Sequence, residues 1–456
     1  MELAQGADLA TFDLAVRRAV GATEAWREAL SLDPVASAAL APLARHRHVA
    51  GKLAFDALSE RSVLPHDAAL RDGLRRWVAA LTVHRVTEEL RADVARVESE
   101  AVAHVHLERV ETTSYRAAWR GLVAARSLEE RGAWIAALEG RGGAVAAVRR
   151  EYAVHEEEAA RRLGFGGMAD LLGGESPEAL EIAALAFLDE TRDLSRSLRR
   201  EEPRKGAAGA GTFSSLIACA AARDAGDGWP SRLSVRTLTE TLGAPSDAGR
   251  GLRVQARMPD VLGAASFSRG LESFGEAYRR AAAAASAVPF SLAVDPYFVD
   301  AHRFGFAFGA LPSSVSYQRR GLGLATRVAA QQARSLAWSA LVHARHVALS
   351  SLVSRTAARP DAARFQELCH EVYGEGVPPA LAGAFPRARG DEHARLHALL
   401  TTLAFLRELR DAFEEDWFRN PAAWRFLRAR ASGPARGPEE KMAPASLARA
   451  FEEALA

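Results

Sequence analysis

The 456-residue sequence predicts a mainly α protein, on three observations: long runs rich in Ala and Arg, apolar residues recurring at three- and four-residue intervals, and single Gly or Pro breakers at helix-length intervals. At 48% hydrophobic and 25% charged, the chain has material for a sizeable interior, and its length suggests two or three lobes.

From Leu9 to about Leu198 the sequence reads as successive amphipathic helices punctuated by Pro34, Pro65, Gly140 and Gly164. Trp77, Leu81 and His84 continue into Leu90, Val94 and Val97, and Tyr152, His155, Ala159 and Leu163 mark one face of a helix that Gly164 caps. Pro203 to Thr212, PRKGAAGAGT, reads as a linker, because glycines and small residues hold no packed element. It divides the chain into an N-terminal helical lobe (1–202), a linker (203–212) and a C-terminal lobe (213–456).

Beyond the linker, helices run to about Ala287, interrupted at Trp229-Pro230. Between Val288 and Tyr317, Pro289, Pro296 and Pro312 break helices while Phe290, Tyr297, Phe298, Phe304, Phe306 and Phe308 crowd together. Short strands are expected there, with Ser313–Gln318 alternating as a strand does. Leu324 to Arg359 has no Gly or Pro and reads as one long helix or two abutting ones. Helices follow at Ala362–Tyr373, Asp391–Trp417 and Pro421–Ala431, the last opened by Asn420 as cap and Pro421 at the first helical position.

Lys plus Arg number 59 against 57 Asp plus Glu, so no basic block points to nucleic acid. The Arg-rich stretch Arg196–Arg204 is interrupted by Glu201 and Glu202 and carries no aromatic residues for base stacking. The two cysteines, Cys219 and Cys369, are too few for a disulfide scaffold and read as reduced. The start, Met1–Ala10, lacks a signal-peptide pattern, and Ala281–Val294 is too short to span a bilayer. A cytoplasmic protein without membrane partners is expected.

Three stretches carry a resemblance: YRAAWRGLVAARSLEERGAWIAALEG through Leu172, the segment Val294–Leu349, and LLTTLAFLRELRDAFEEDWFRNPAAWRFLR near the end. Together they resemble the helical zinc oligopeptidases of the oligoendopeptidase F and thimet oligopeptidase family. The resemblance implies a two-lobed helical fold around a central cleft, with at most a small β element near 290–320.

It also implies a zinc site: two His one helical turn apart, a Glu beside the first that activates the zinc-bound water, and a third carboxylate from the next helix. H-E-x-x-H occurs nowhere in the chain. Laid on the long helix after the aromatic segment, the motif falls at Arg334, Ser335, Leu336, Ala337 and Trp338, where Arg334 could hold a carboxylate in place of the metal. The third-ligand region falls at Ala358–Asp361 without a Glu, and the family's Tyr-rich helix matches Leu399–Phe413, which holds Thr401, Thr402 and Phe405 but no Tyr.

Residual metal candidates are His393 and His397, four apart in EHARLH, and His343 and His346 in VHARH, with Glu367 or Glu371 as carboxylates. His155-Glu156-Glu157-Glu158 lacks a second His, His104 and His106 read as opposite sides of a helix, and Arg45–His48 reads as a surface patch. No G-x-S-x-G elbow or phosphate cradle is present. Tyr297, His302, Phe306 and Tyr317 are the candidates to line the cleft.

The expected function is a catalytically inactive, metallopeptidase-like protein with no cofactor, whose cleft binds a peptide or protein segment. Two alternatives stand beside it. One is a metallopeptidase using zinc in a rebuilt site; the other is a helical adaptor acting through its N-terminal lobe.

Overall fold

A computed structural model describes residues 8–34, 37, 41–61, 63–106, 109–124, 128–171, 177–201, 229–230, 233–243, 262–374, 376–385, 391–435 and 442–456. The glycine-rich segment 203–212 and Cys219 lie outside these. The expected mainly α architecture is present. Helices α1 (Leu9–Leu32), α2 (Lys52–Glu60), α3 (Ala68–Val86) and α4 (Glu88–Ser99) lead into strands β1 (Ala101–His106) and β2 (Arg109–Ser114). Helices α5 (Tyr115–Ala124), α6 (Leu128–Arg162), α7 (Pro177–Glu190) and α8 (Arg192–Glu201) complete the first part of the chain. The second part holds α9 (Ala264–Ala284), α10 (Val299–Gly309), α11 (Val315–Arg320), α12 (Thr326–Arg355), α13 (Ala362–Tyr373), α14 (Glu392–Phe413), α15 (Pro421–Ser432) and α16 (Pro444–Leu455). Among the described residues, no helix is long and apolar enough to cross a membrane.

The β element lies elsewhere than expected. It is an antiparallel hairpin running from Ala101↔Ser114 to His106↔Arg109, so His104 and His106 sit on a strand rather than a helix. β-branched residues at Val102, Val105, Val110, Thr112 and Thr113 favour that backbone. Residues 290–320 form short helices joined by turns instead, and the strand expected at Ser313–Gln318 gives way to the end of a 3-10 turn and the start of α11.

The reason is local capping. The Asp13 carboxylate, from α1, accepts from the backbone N–H groups of Phe290 (2.7 Å) and Ser291 (2.8 Å), while Asp295 Oδ1 accepts from Tyr297 (3.1 Å) and Val299 (3.0 Å). These bonds satisfy the free donors of a short helical turn at Phe290–Ala293 and of α10. Every residue of α10 from Asp300 to Phe308 is buried. A helix buried all round shows no apolar stripe, which is why its Phe residues at every second position imitate a strand.

Gly140 does not break the chain, since α6 runs through it for 35 residues. Each interior Gly costs about 1 kcal/mol, and the fully buried Leu138 and Val145 offset that cost. Gly164 does end α6, in the left-handed region at φ +88°, with the Phe165 N–H returning to the Ala160 carbonyl at 3.2 Å. Asn420 caps α15 by accepting from the Ala422 N–H at 2.9 Å, as expected from Asn-Pro.

Three large apolar cores are formed by the described residues, beside two small clusters. The first joins α1, α2 and α3 to Ala159 and Ala160 of α6 and to Leu163 just beyond it. The second combines α5, α6 and α7 with α12, α13 and α16, and so draws on both sides of the 203–212 segment. The third holds α9, α11 and α15, where Phe274, Tyr278, Phe308, Trp417 and Trp424 pack edge to face and stacked. Two helices serve all three. α14 gives Ala394 to the first, Leu396 to the second and Phe405 to the third; Tyr297, Phe306 and Phe304, in or just before α10, are divided in the same way. Whatever polar groups α10 and α14 carry between these residues are therefore held where the three cores meet.

Candidate functional site

α9 and α10 cross at backbone contact. A Cβ on Gly275 would come within 2.5 Å of the Phe304 carbonyl oxygen, and one on Gly305 within 2.8 Å of Glu276 Cγ. That closeness lets Glu272 and Glu276, one turn apart on α9, reach groups on α10 and α14. His302 Nδ1 lies 2.8 Å from Glu276 Oε1 and His302 Nε2 lies 3.0 Å from Asp391 Oδ2. Arg395, from α14, donates to Glu272 Oε1 at 2.6 Å and places a second nitrogen 3.6 Å from Glu276 Oε1. Its guanidinium stands 5.2 Å above the Phe306 ring. On the remaining side, His343 Nε2 of α12 is 3.9 Å from Glu272 Oε2.

The charges are strongly coupled. Burial alone would raise the Glu272 carboxyl, but Arg395, with His343 and Arg269, holds it down at about 2. Burial alone would lower His302, yet its two carboxylate partners, Asp391 and Glu276, push it up to about 9, so it is an imidazolium at neutral pH. Burial dominates at His343 and holds it at about 4, as a neutral imidazole. Arg395 is raised above its usual value by Glu272, Asp391 and Glu276, against burial. The cluster is not sealed, because the side chains of Glu272, Glu276, Asp391 and Arg395 keep 17, 21, 20 and 18% of their exposure.

The residues singled out from sequence scatter. Of the cleft candidates, His302 and Phe306 belong to this cluster. Tyr317 instead lies in the third core, its hydroxyl sharing a hydrogen bond with Thr241 (2.6 Å) and its ring against Phe418, so it lines no cleft. Tyr297 is buried with no hydrogen-bond partner for its hydroxyl, and burial, with Glu156 close by, raises it well above 10. In the segment Arg334–Trp338, Leu336, Ala337 and Trp338 are buried and Arg334 is exposed. A solvated guanidinium there does not replace a buried metal, which corrects the role expected for Arg334. Asp361 of the third-ligand region caps α13, accepting from Ala363 and Arg364.

The metal candidates do not converge. His346 Nδ1 is 2.6 Å from the Tyr373 hydroxyl, and His393 Nδ1 is 2.9 Å from Ser351 Oγ. Glu367 is exposed and paired with Arg364 at 3.0 Å, while Glu371 bonds to Arg192 and Arg345. His397 is buried on α14. Among the described residues, no group of three or more His, Cys, Asp and Glu is arranged to hold a metal ion. Cys369 is buried and unpaired, and burial pushes its thiol up to about 12.

His346 has a different consequence. Burial, aided by His343, Arg269 and Arg395, lowers it to about 3, so it stays neutral in the native state while the unfolded chain takes up a proton below about 6.5. Stability is therefore present above pH 6.5 and lost as the pH falls. His346→Gln keeps a polar partner for Tyr373 but removes the titration. Unfolding free energies at pH 7 and pH 5 should show wild type losing about 2 kcal/mol more than the variant; equal losses would refute this.

Sequence reasoning missed Glu272, Glu276, Asp391 and Arg395. A usable signal was present in Glu272-Ser-Phe-Gly-Glu276, which keeps the ligand spacing of H-E-x-x-H with carboxylates in place of the histidines.

Neither a known family's sequence profile nor any curated protein sequence matches the chain. Solved structures do. A protein described as an oligoendopeptidase F from Bacillus anthracis str. Ames is similar with a TM-score of 0.59 at 11% identity, over 95% of this chain and 85% of that one. A second structure described as oligoendopeptidase F gives a TM-score of 0.62 at 12% identity, over 98% of this chain and 96% of that one. At such identities the likeness concerns the fold: this chain has the helical fold of these oligoendopeptidase F structures over nearly its full length.

Proposed function

We propose that the chain is a catalytically inactive form of the oligopeptidase fold whose cleft binds an extended peptide or protein segment. One observation carries the reading: a guanidinium, Arg395, sits between the two carboxylates that occupy the spacing of zinc ligands. In this reading Glu272 and Glu276 stand where the two histidines of H-E-x-x-H would be, four apart on α9, and Ser273 stands where the catalytic Glu would be. His302, from the next long helix, takes the place of the third ligand.

This donor set does not suit zinc. Glu272 is neutralised at 2.6 Å by Arg395, and His302, clamped between Glu276 and Asp391, is protonated and offers no lone pair. A dication would have to stand against a fixed guanidinium, and the Ser273 hydroxyl is no base at neutral pH. The partial exposure of Glu272, Glu276, Asp391 and Arg395 supports access by a bound segment.

The test is a set of quenched fluorescent peptides, assayed for cleavage with and without chelator and for binding by anisotropy. Saturable binding without chelator-sensitive cleavage is expected. Chelator-sensitive hydrolysis together with stoichiometric zinc would restore the peptidase reading, and an absence of any peptide binding would remove the cleft from consideration.

A further inference from the structure

We infer that the guanidinium of Arg395 is the resident cation of this cluster, and that removing it converts Glu272, Glu276 and His343 into a divalent-metal site; the inference rests on the reading above that the native chain holds no metal here. The geometry supplies each part. The two guanidinium nitrogens lie 2.6 Å from Glu272 and 3.6 Å from Glu276, with the plane above Phe306, so the group fills the space between both carboxylates and the ring. His343 borders the same space, its ring centroid 6.3 Å from that of Phe306 and its Nε2 3.9 Å from Glu272 Oε2. That nitrogen is buried and has no hydrogen-bond partner, the condition of an imidazole lone pair left open to a ligand.

Glu276 is oriented for the same point by His302, which Asp391 holds from the far side. Without Arg395, Glu272 loses the cation bonded to it while Glu276 keeps only its contact with His302, and Arg269, a second positive group that acts on Glu272, is exposed. Loss of one partner from such a group is destabilising, and a metal ion bound only by the folded state reverses that loss. Two carboxylates and an imidazole suit zinc or manganese.

The experiment compares wild type, Arg395→Met and Arg395→Met/Glu272→Gln by calorimetric titration with zinc chloride, by elemental analysis after dialysis, and by melting with and without zinc. Arg395→Met should bind zinc at least 100-fold more tightly than wild type and melt higher in its presence, and the second substitution should abolish both effects. If Arg395→Met does not fold, Arg395→Gln, which still donates to Glu272, replaces it with the same expectation. Zinc affinity no greater than that of wild type, or a gain that survives Glu272→Gln, overturns the inference alone. Stoichiometric zinc in wild type overturns both the inference and the inactive reading.

Discussion

Replacing Asp300 by Ala should lower the unfolding free energy by roughly 3–5 kcal/mol. Asp300 is shared by two buried guanidinium groups, Arg279 Nε at 2.7 Å and Arg303 Nη1 at 2.9 Å. Arg279, Asp300 and Arg303 keep only 3, 4 and 0% of their side-chain exposure. Arg279 also donates to the carbonyls of Ala293 and Ala431, both at 2.7 Å, and Arg303 donates to Thr401, so the triad joins α9, α10, α14 and α15. Removing Asp300 takes from both buried guanidinium groups the carboxylate they share, while Arg279 keeps its two carbonyl bonds and Arg303 its bond to Thr401. Asp300→Asn keeps the shape and one acceptor and should lose less. Asp93, paired with Arg96 on an exposed face of α4, provides the control: its change to Ala should stay within about 0.5 kcal/mol. Urea unfolding followed by circular dichroism reads all three, and a loss below about 1 kcal/mol for Asp300→Ala would mean that the triad is hydrated rather than buried.

Helices whose partners lie on one side could be read from the sequence. Ala362–Tyr373 is found with the expected ends, Leu324–Arg359 is found as Thr326–Arg355, and the caps at Gly164 and Asn420 stand where their residue types placed them. These features depend on local backbone chemistry. α10 could not be read, because its burial on every side erases the periodicity by which a helix is recognised, and the short turn that precedes it, Phe290–Ala293, is capped by Asp13, some 280 residues earlier. The hairpin was overlooked among helical neighbours, since six-residue strands give little pattern.

The site failed for a related reason. A Glu pair at i and i+4 on a helix usually marks a solvated face, and nothing near Glu272 in the chain shows that its cation arrives from Arg395. Arg395 itself lies between His393 and His397, and both draw attention as metal ligands. The structure turns it toward α9 and points His393 at Ser351 of α12. What the resemblance supplied, two ligand positions a turn apart and a third from the next helix, was the right geometry laid on the wrong helix in the reading proposed here.

Gly275→Ala should destabilise the chain by about 3 kcal/mol and disturb the cluster at the same time. Its added methyl would meet the Phe304 carbonyl oxygen at 2.5 Å and carbon at 2.8 Å, and Phe308 Cδ2 at 2.9 Å. Two of these atoms are helix backbone and cannot rotate away, so α9 and α10 must part. The link between Glu276 and His302 crosses the same seam, next to Gly305, whose own Cβ position lies 2.8 Å from Glu276 Cγ. Parting the helices should weaken that link, and His302, held up to about 9 by Asp391 and Glu276 against burial, should titrate nearer its ordinary value. A proton NMR titration of His302 reads this independently of unfolding. Gly21→Ala is the matched control, because that position on α1 meets nothing within 4 Å and Ala there should stabilise by roughly 0.5–1 kcal/mol. If Gly275→Ala behaved like Gly21→Ala and left the His302 titration unmoved, the two helices could not be in contact where the structure crosses them. The carboxylate pair would then lose the approach that brings it to His302 and Arg395.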